Sequence, residues 1–253
     1  MDLQLTGKIA LIVASSKGLG KAIAKQLAEE GCDVMLTSRS AGQLAVARQH
    51  LLPSAKGRVE CCPCDITNLD DIQRLVAETR ERLGPVDILI NNASAINLTR
   101  TEETPAKRFD LMFDVNVRGT FLTSQAAIPF LRDSAEAGRN PHILNLSPPL
   151  SMKPKWFKNH VAYTMAKYGM SMCVLGMSEE FKRDGIAVNA LWPRTAIDTA
   201  ALQMIPGVDT AACRTPEILS DSAYIILNRN SKECTGNFFV DDEVLASEGI
   251  TDL

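Results

Sequence analysis

The sequence lacks any block of basic residues: 27 lysines and arginines face 30 aspartates and glutamates, for a formal net charge of -3. A surface so balanced offers no electrostatic footprint for nucleic acid or for an anionic membrane. Long hydrophobic runs are missing too. The longest, such as Ile9 to Ala14, are strand-sized, far short of the roughly 20 residues a membrane span requires. Met1-Asp2-Leu3-Gln4-Leu5 carries neither the basic nor the apolar region of a signal peptide. The seven cysteines are an odd count without a secretion signal, which predicts reduced thiols and a cytoplasmic protein. Cys61-Cys62-Pro63-Cys64 lacks the second Cys/His cluster that would complete a tetrahedral site, so no metal is expected. No repeat, low-complexity tract or Gly/Ser-rich linker divides the chain. A single globular, soluble domain over residues 1–253 is therefore expected, long enough to bury a large core.

What is present is an alternation of two periods. Strands are expected at Lys8 to Val13, Asp33 to Thr37, Arg58 to Cys64, Val86 to Ile90, His142 to Leu146, Ile186 to Leu191 and Phe238 to Val240. Between them, Leu19, Ile23 and Leu27 share one helical face before Gly31, a plausible C-cap. Further helices are read over Ala41 to Leu51, Leu69 to Leu83 (capped by Thr67 or Asn68), Pro105 to Leu131, and from the Tyr163 region to Lys182. Strands joined by helix-length crossovers predict an α/β fold: a doubly wound parallel sheet of about seven strands with helices on both faces. Ligands of such sheets sit at the carboxyl ends of the strands.

Three stretches carry chemistry. Tyr163 and Lys167 are four residues apart, so on a helix they share a face one turn apart. An ammonium beside a phenol favours the phenolate and brings a group of reference pKa about 10 toward working pH. The bland alternative is a half-buried tyrosine with a snorkelling lysine. Ala14-Ser15-Ser16-Lys17-Gly18-Leu19-Gly20 joins the first strand to the first helix, and its glycines let backbone amides approach a pyrophosphate. The second strand ends in Ser38 and Arg39 rather than in the acidic residue an NAD site uses. Arg39 and Lys17 together suit a ribose 2′-phosphate, favouring NADP over NAD, unless both are simply solvated loop residues.

These stretches resemble the short-chain dehydrogenase/reductase family over essentially the whole chain. The family's T-G-x-x-x-G-x-G is matched by Val13-Ala14-Ser15-Ser16-Lys17-Gly18-Leu19-Gly20, with Ala14 in place of the first glycine. Asp65-Ile66 resembles the family's acidic residue near the adenine ring and the residue after it, and Asn91-Asn92-Ala93 the N-N-A-G motif, with Ser94 where glycine is usual. Asn116 matches the asparagine that supports the lysine through a water, Tyr163 and Lys167 the Y-x-x-x-K pair, and Pro193, Ile197 and Thr199 the P-G-x-x-x-T motif, with Arg194 for its glycine. Thr235-Gly236 before the last strand also fits. From about Val86 onward the chain is similar to the hydroxysteroid dehydrogenase-like 2 proteins and to bacterial citronellol/citronellal dehydrogenases. The resemblance implies a cofactor half over about 1–145, a catalytic and substrate-loop half over about 146–253, and a homodimer or homotetramer. It implies Lys167 on the nicotinamide ribose and Tyr163 as acid/base.

The family's catalytic serine commonly follows the fifth strand as the second of a Ser-Ser pair. Here that position is Pro148, after Ser147. Either a longer loop turns Ser147 into the oxygen site, or Tyr163 binds the oxygen alone; Ser151 is the loop's other hydroxyl. Ile96, Leu98, Leu150, Trp156, Phe157, Trp192, Leu202 and Met204 fall in the loops after strands four to six. They fit a hydrophobic alcohol, aldehyde or ketone, though each singly could be loop core. His160 is read as solvent-facing, and Met165, Met170, Met172 and Met177 as core or subunit packing. The expectation is an oxidoreductase; its alternative is a catalytically weak dinucleotide-binding module for lipid binding or assembly.

Overall fold

A computed structural model describes residues 5–199, 202 and 213–251. Seven strands form one sheet in the order β3-β2-β1-β4-β5-β6-β7, every pairing parallel. They are β1 (Ile9–Val13), β2 (Asp33–Ser38), β3 (Val59–Pro63), β4 (Ile88–Asn91), β5 (His142–Asn145), β6 (Ala187–Trp192) and β7 (Phe238–Val240). All five residues of β1 are buried, as parallel strands covered on both faces require. The helices are α1 (Gly18–Glu29), α2 (Ala41–Leu51), α3 (Leu69–Arg82), α4 (Ala106–Met112), α5 (Thr120–Glu136), α6 (Val161–Glu180), α7 (Glu217–Asn228) and α8 (Asp241–Ser247). This is a Rossmann-type doubly wound fold.

The period of two sorts each strand between two cores. Ala10 and Ile12 of β1 join Ile23 and Leu27 of α1, Leu44 of α2 and Ile226 of α7. Leu11 and Val13 face the other way, onto Ile72 and Leu75 of α3, Leu131 of α5 and Val174 of α6. Each such fully buried aliphatic side chain contributes about 1.5–3 kcal/mol.

Local signals set the ends. After α1, Gly31 takes φ 91°, while Gly31 N–H donates to Ala28 O and Cys32 N–H to Leu27 O, the paired closure a left-handed residue makes possible. Asn68 caps α3 by accepting from the Asp70 and Asp71 amides. The helical region expected over Pro105 to Leu131 is instead α4, a π-helical segment Phe113–Gly119 and α5 running on to Glu136. Helix α7, between β6 and β7, and helix α8, after β7, fill stretches that the alternation of periods leaves unassigned.

At the amino ends of β1 and β4 the buried Asp87 carboxylate accepts from Ile9 N, Ser134 Oγ, Arg139 Nε and Arg139 Nη2 at 2.6–2.8 Å. Arg139 also donates to Gly7 O, and Lys8 Nζ donates to Arg139 O, both at 2.7 Å. These ties clamp that edge of the sheet. At the opposite edge, strand order reverses between β1 and β4, which opens the crevice where such folds bind ligands.

Candidate active site

The glycine loop is the floor of that crevice. Ala14 leaves β1 at φ 57° and Gly18 starts α1 at φ 58°. A Cβ on Gly20 would lie 2.5 Å from Asn92 Nδ2 and 2.6 Å from Ala14 O, so only glycine lets α1 begin this close to the loop after β4. Asn92 Nδ2 donates to Ala14 O at 3.0 Å, joining the two loops.

A cavity of about 280 Å³ opens above them. Ala14, Lys17, Gly18 and Leu19 line one side, Asn92, Ser94 and Ile96 a second, and Trp192, Pro193 and Thr199 a third, with Tyr163 and Lys167 at the back. Leu146 completes it. Of the residues expected from sequence, the structure thus brings Ala14, Lys17, Gly18, Leu19, Asn92, Tyr163, Lys167, Pro193 and Thr199 to one surface. Ser16 is half-buried beside the floor and Arg39 stands exposed after β2. Asp65 accepts from the Thr67 amide and hydroxyl. Ile66, Ala93 and Ile197 are buried supports. Of the apolar loop residues, Ile96 and Trp192 reach the cavity, Leu98 and Trp156 are exposed, and Phe157 packs edge-on to Tyr168. Leu150 and Leu202 are half-buried, and Met204 lies outside the described residues.

Helix α6 sets the chemistry. Tyr163 is half-buried and packs with Met112, Ala162 and Ala166. Burial pushes its phenol pKa up, and the opposing influence is the hydroxyl of Ser94. Lys167 is buried; its Nζ donates to Leu146 O at 2.6 Å and lies 5.1 Å from the centre of the Trp192 ring. Desolvation pulls this ammonium down to about 7. The ammonium turns to a backbone carbonyl and an indole face, and its own charge is weakened by burial.

Asn116 sits in the π-helical segment, fully buried. Its Oδ1 accepts from Ala95 N at 2.6 Å and its Nδ2 donates to Ala95 O at 3.0 Å, so its side chain is spent on the loop after β4. Ser147 is wholly buried, its Oγ without a hydrogen-bond partner, and it is not part of the cavity wall. Ser151 is held through its backbone by the Tyr168 hydroxyl. His160 is half-buried, with Nδ1 2.9 Å from Thr164 Oγ1. The sequence offers Ser94 only as a departure from a motif; the loop that Asn92 and Asn116 hold brings it to the same cavity as Tyr163.

The short chain dehydrogenase family profile matches residues 8–206. This chain belongs to the short chain dehydrogenases. It is 50% identical, over 98% of its length, to hydroxysteroid dehydrogenase-like protein 2 of Xenopus tropicalis, and spans 61% of that relative. A putative dehydrogenase from Xanthomonas campestris superposes with a TM-score of 0.94 at 46% identity, covering 98% of this short chain dehydrogenase and 92% of the other chain. A short chain dehydrogenase from Mycobacterium thermoresistibile gives a TM-score of 0.90 at 44% identity, covering 99% and 90%. Among the described residues no helix is long and apolar enough to cross a membrane, and no cluster of His, Cys, Asp or Glu is placed to hold a metal ion.

Proposed function

We propose that the chain interconverts a hydrophobic alcohol and its aldehyde or ketone, with NADP(H) as coenzyme. The observation that carries this reading is the single cavity shared by the glycine loop, Tyr163 and Lys167. The close approach at Gly20 and the floor of Ala14, Gly18 and Leu19 fit a dinucleotide pyrophosphate. A nicotinamide dinucleotide bound there supplies or accepts the hydride. Tyr163 gives a proton to the carbonyl oxygen in reduction and takes it from the hydroxyl in oxidation. Lys167, one turn on, favours the phenolate whenever it carries its proton and reaches for the nicotinamide ribose. Asn116 fixes the loop that carries Ser94 and Ile96. Lys17 and Arg39 are both exposed cations on this edge, which supports the 2′-phosphate form over NAD.

The same reading takes residues 1–253 as one cytoplasmic domain. It also pairs copies of the chain as a homodimer or homotetramer through exposed Met165, Met172 and Leu175 of α6 and Phe121 of α5. Met170 and Met177 are core.

Titrating the protein with NADPH and NADH, then following reduced-nicotinamide absorbance with a panel of apolar aldehydes and ketones, tests the reading. NADPH should bind more tightly. Tyr163→Phe should keep coenzyme affinity and lose on the order of a hundredfold or more in turnover. Coenzyme binding without turnover of any carbonyl would favour a binding module instead.

A further inference from the structure

We propose that Ser94 takes the place of the missing serine: its hydroxyl flanks that of Tyr163 and, with it, holds the reacting oxygen of the substrate. This rests on the reading of Tyr163 as acid/base and assigns its partner. Besides Tyr163, two side-chain hydroxyls line the cavity: Thr199, which lies against Gly18 of the glycine loop, and Ser94 from the loop after β4. Ser147, the nearer candidate by sequence, has its Oγ sealed from the cavity. Pro148 has no donor, and its carbonyl is pinned by Ser171 Oγ at 2.6 Å. Ser151 is committed to Tyr168 on both its backbone groups.

Ser94, by contrast, shares the cavity wall with Tyr163, and the chain on either side of it is fixed. Asn92 is anchored to Ala14 O, and Ala95 is clamped at both its N–H and its C=O by Asn116. The backbone at Ser94 is thus held in place before any ligand arrives and presents its exposed side chain to the cavity, which favours stabilising a developing oxyanion. The Ser94 hydroxyl also opposes the rise that burial imposes on the phenol's pKa. The titratable groups that face Tyr163 across the cavity are Lys17 and Lys167; neither is altered by a change at Ser94.

The protein has three tyrosines, so carbon-13 label at tyrosine Cζ gives three resonances, and Tyr163→Phe identifies the one from Tyr163. That resonance reports both the hydrogen bonding and the ionisation of the phenol, in the full chain and without substrate. Ser94→Ala and Ser94→Gly should displace it and raise its midpoint by about half a unit to one unit. Ser94→Thr should restore it, and Ser147→Ala should leave it in place. On a carbonyl from the panel, Ser94→Ala should lower kcat on the order of tenfold to a hundredfold. A Tyr163 resonance unmoved in Ser94→Ala and Ser94→Gly, or moved as far by Ser147→Ala, overturns the inference. Because the resonance is read whether or not any carbonyl turns over, loss of the functional reading and loss of the Ser94 assignment are separate results.

Discussion

Ala14 occupies left-handed backbone, φ 57°, where an L side chain costs about 1–2 kcal/mol. Asn92 holds its carbonyl, so the surrounding loops enforce the strain. Ala14→Gly removes that cost and adds back the chain entropy of a glycine, about 0.4–1 kcal/mol. A net gain of about 0.5 kcal/mol is expected, read as a higher urea midpoint with the slope unchanged; a lower midpoint would show that the turn is not strained. Tyr163, Lys167 and the glycines are legible in the sequence because fixed spacing on one element carries their meaning. The placement of Ser94 and the meeting of Trp192 with Lys167 are not. What matters about each is which side chain from a distant segment it meets, and spacing says nothing of that.

Between residue and molecule, the π-helical segment shows what periodicity misses. A single helix over Pro105 to Leu131 is a fair reading of the apolar pattern, but one wider turn at Phe113–Gly119 rotates Asn116 onto Ala95. Helix α6 packs on this segment through Gly169, where a Cβ would come 2.6 Å from Val117 Cγ2. Gly169→Ala gains about 1 kcal/mol of helix propensity but crowds a stiff β-branched side chain, which costs about 1–3 kcal/mol. The variant should be less stable by about 1 kcal/mol in urea unfolding. In a Val117→Ala background the same change should become stabilising, and additive effects would show that the two helices do not meet there. Helix α7 escapes a reading of the sequence for a related reason: nothing between β6 and β7 marks a crossover as plainly as the capped, charge-patterned α3.

Across the whole molecule, buried bases set the response to pH. His142, at the amino end of β5, is pulled down from 6.5 to about 4 by burial, and Lys167 at the other edge falls from 10.5 to about 7. In each case the unfolded chain binds the proton more readily than the folded one, so stability rises with pH through the window between the two values. Acidification from about pH 6.5 to about pH 4 should therefore cost about 3 kcal/mol through His142. Unfolding free energies measured across that window should flatten in His142→Asn, and an equally steep acid limb in that variant would assign it elsewhere. The sheet's architecture was foreseeable from crossover lengths and uninterrupted apolar strands. This burial of a histidine at a strand's start was not, since one polar residue before Ile143 and Leu144 reads the same in or out of water.

The Asp87 clamp and the cavity lie at opposite ends of the same strands. What anchors the scaffold therefore shares no side chain with what touches the ligand. Descendants of such a chain are free to lengthen, shorten or recompose the loops after β4, β5 and β6 and so trade one substrate for another, while the foundation beneath them passes unchanged from copy to copy.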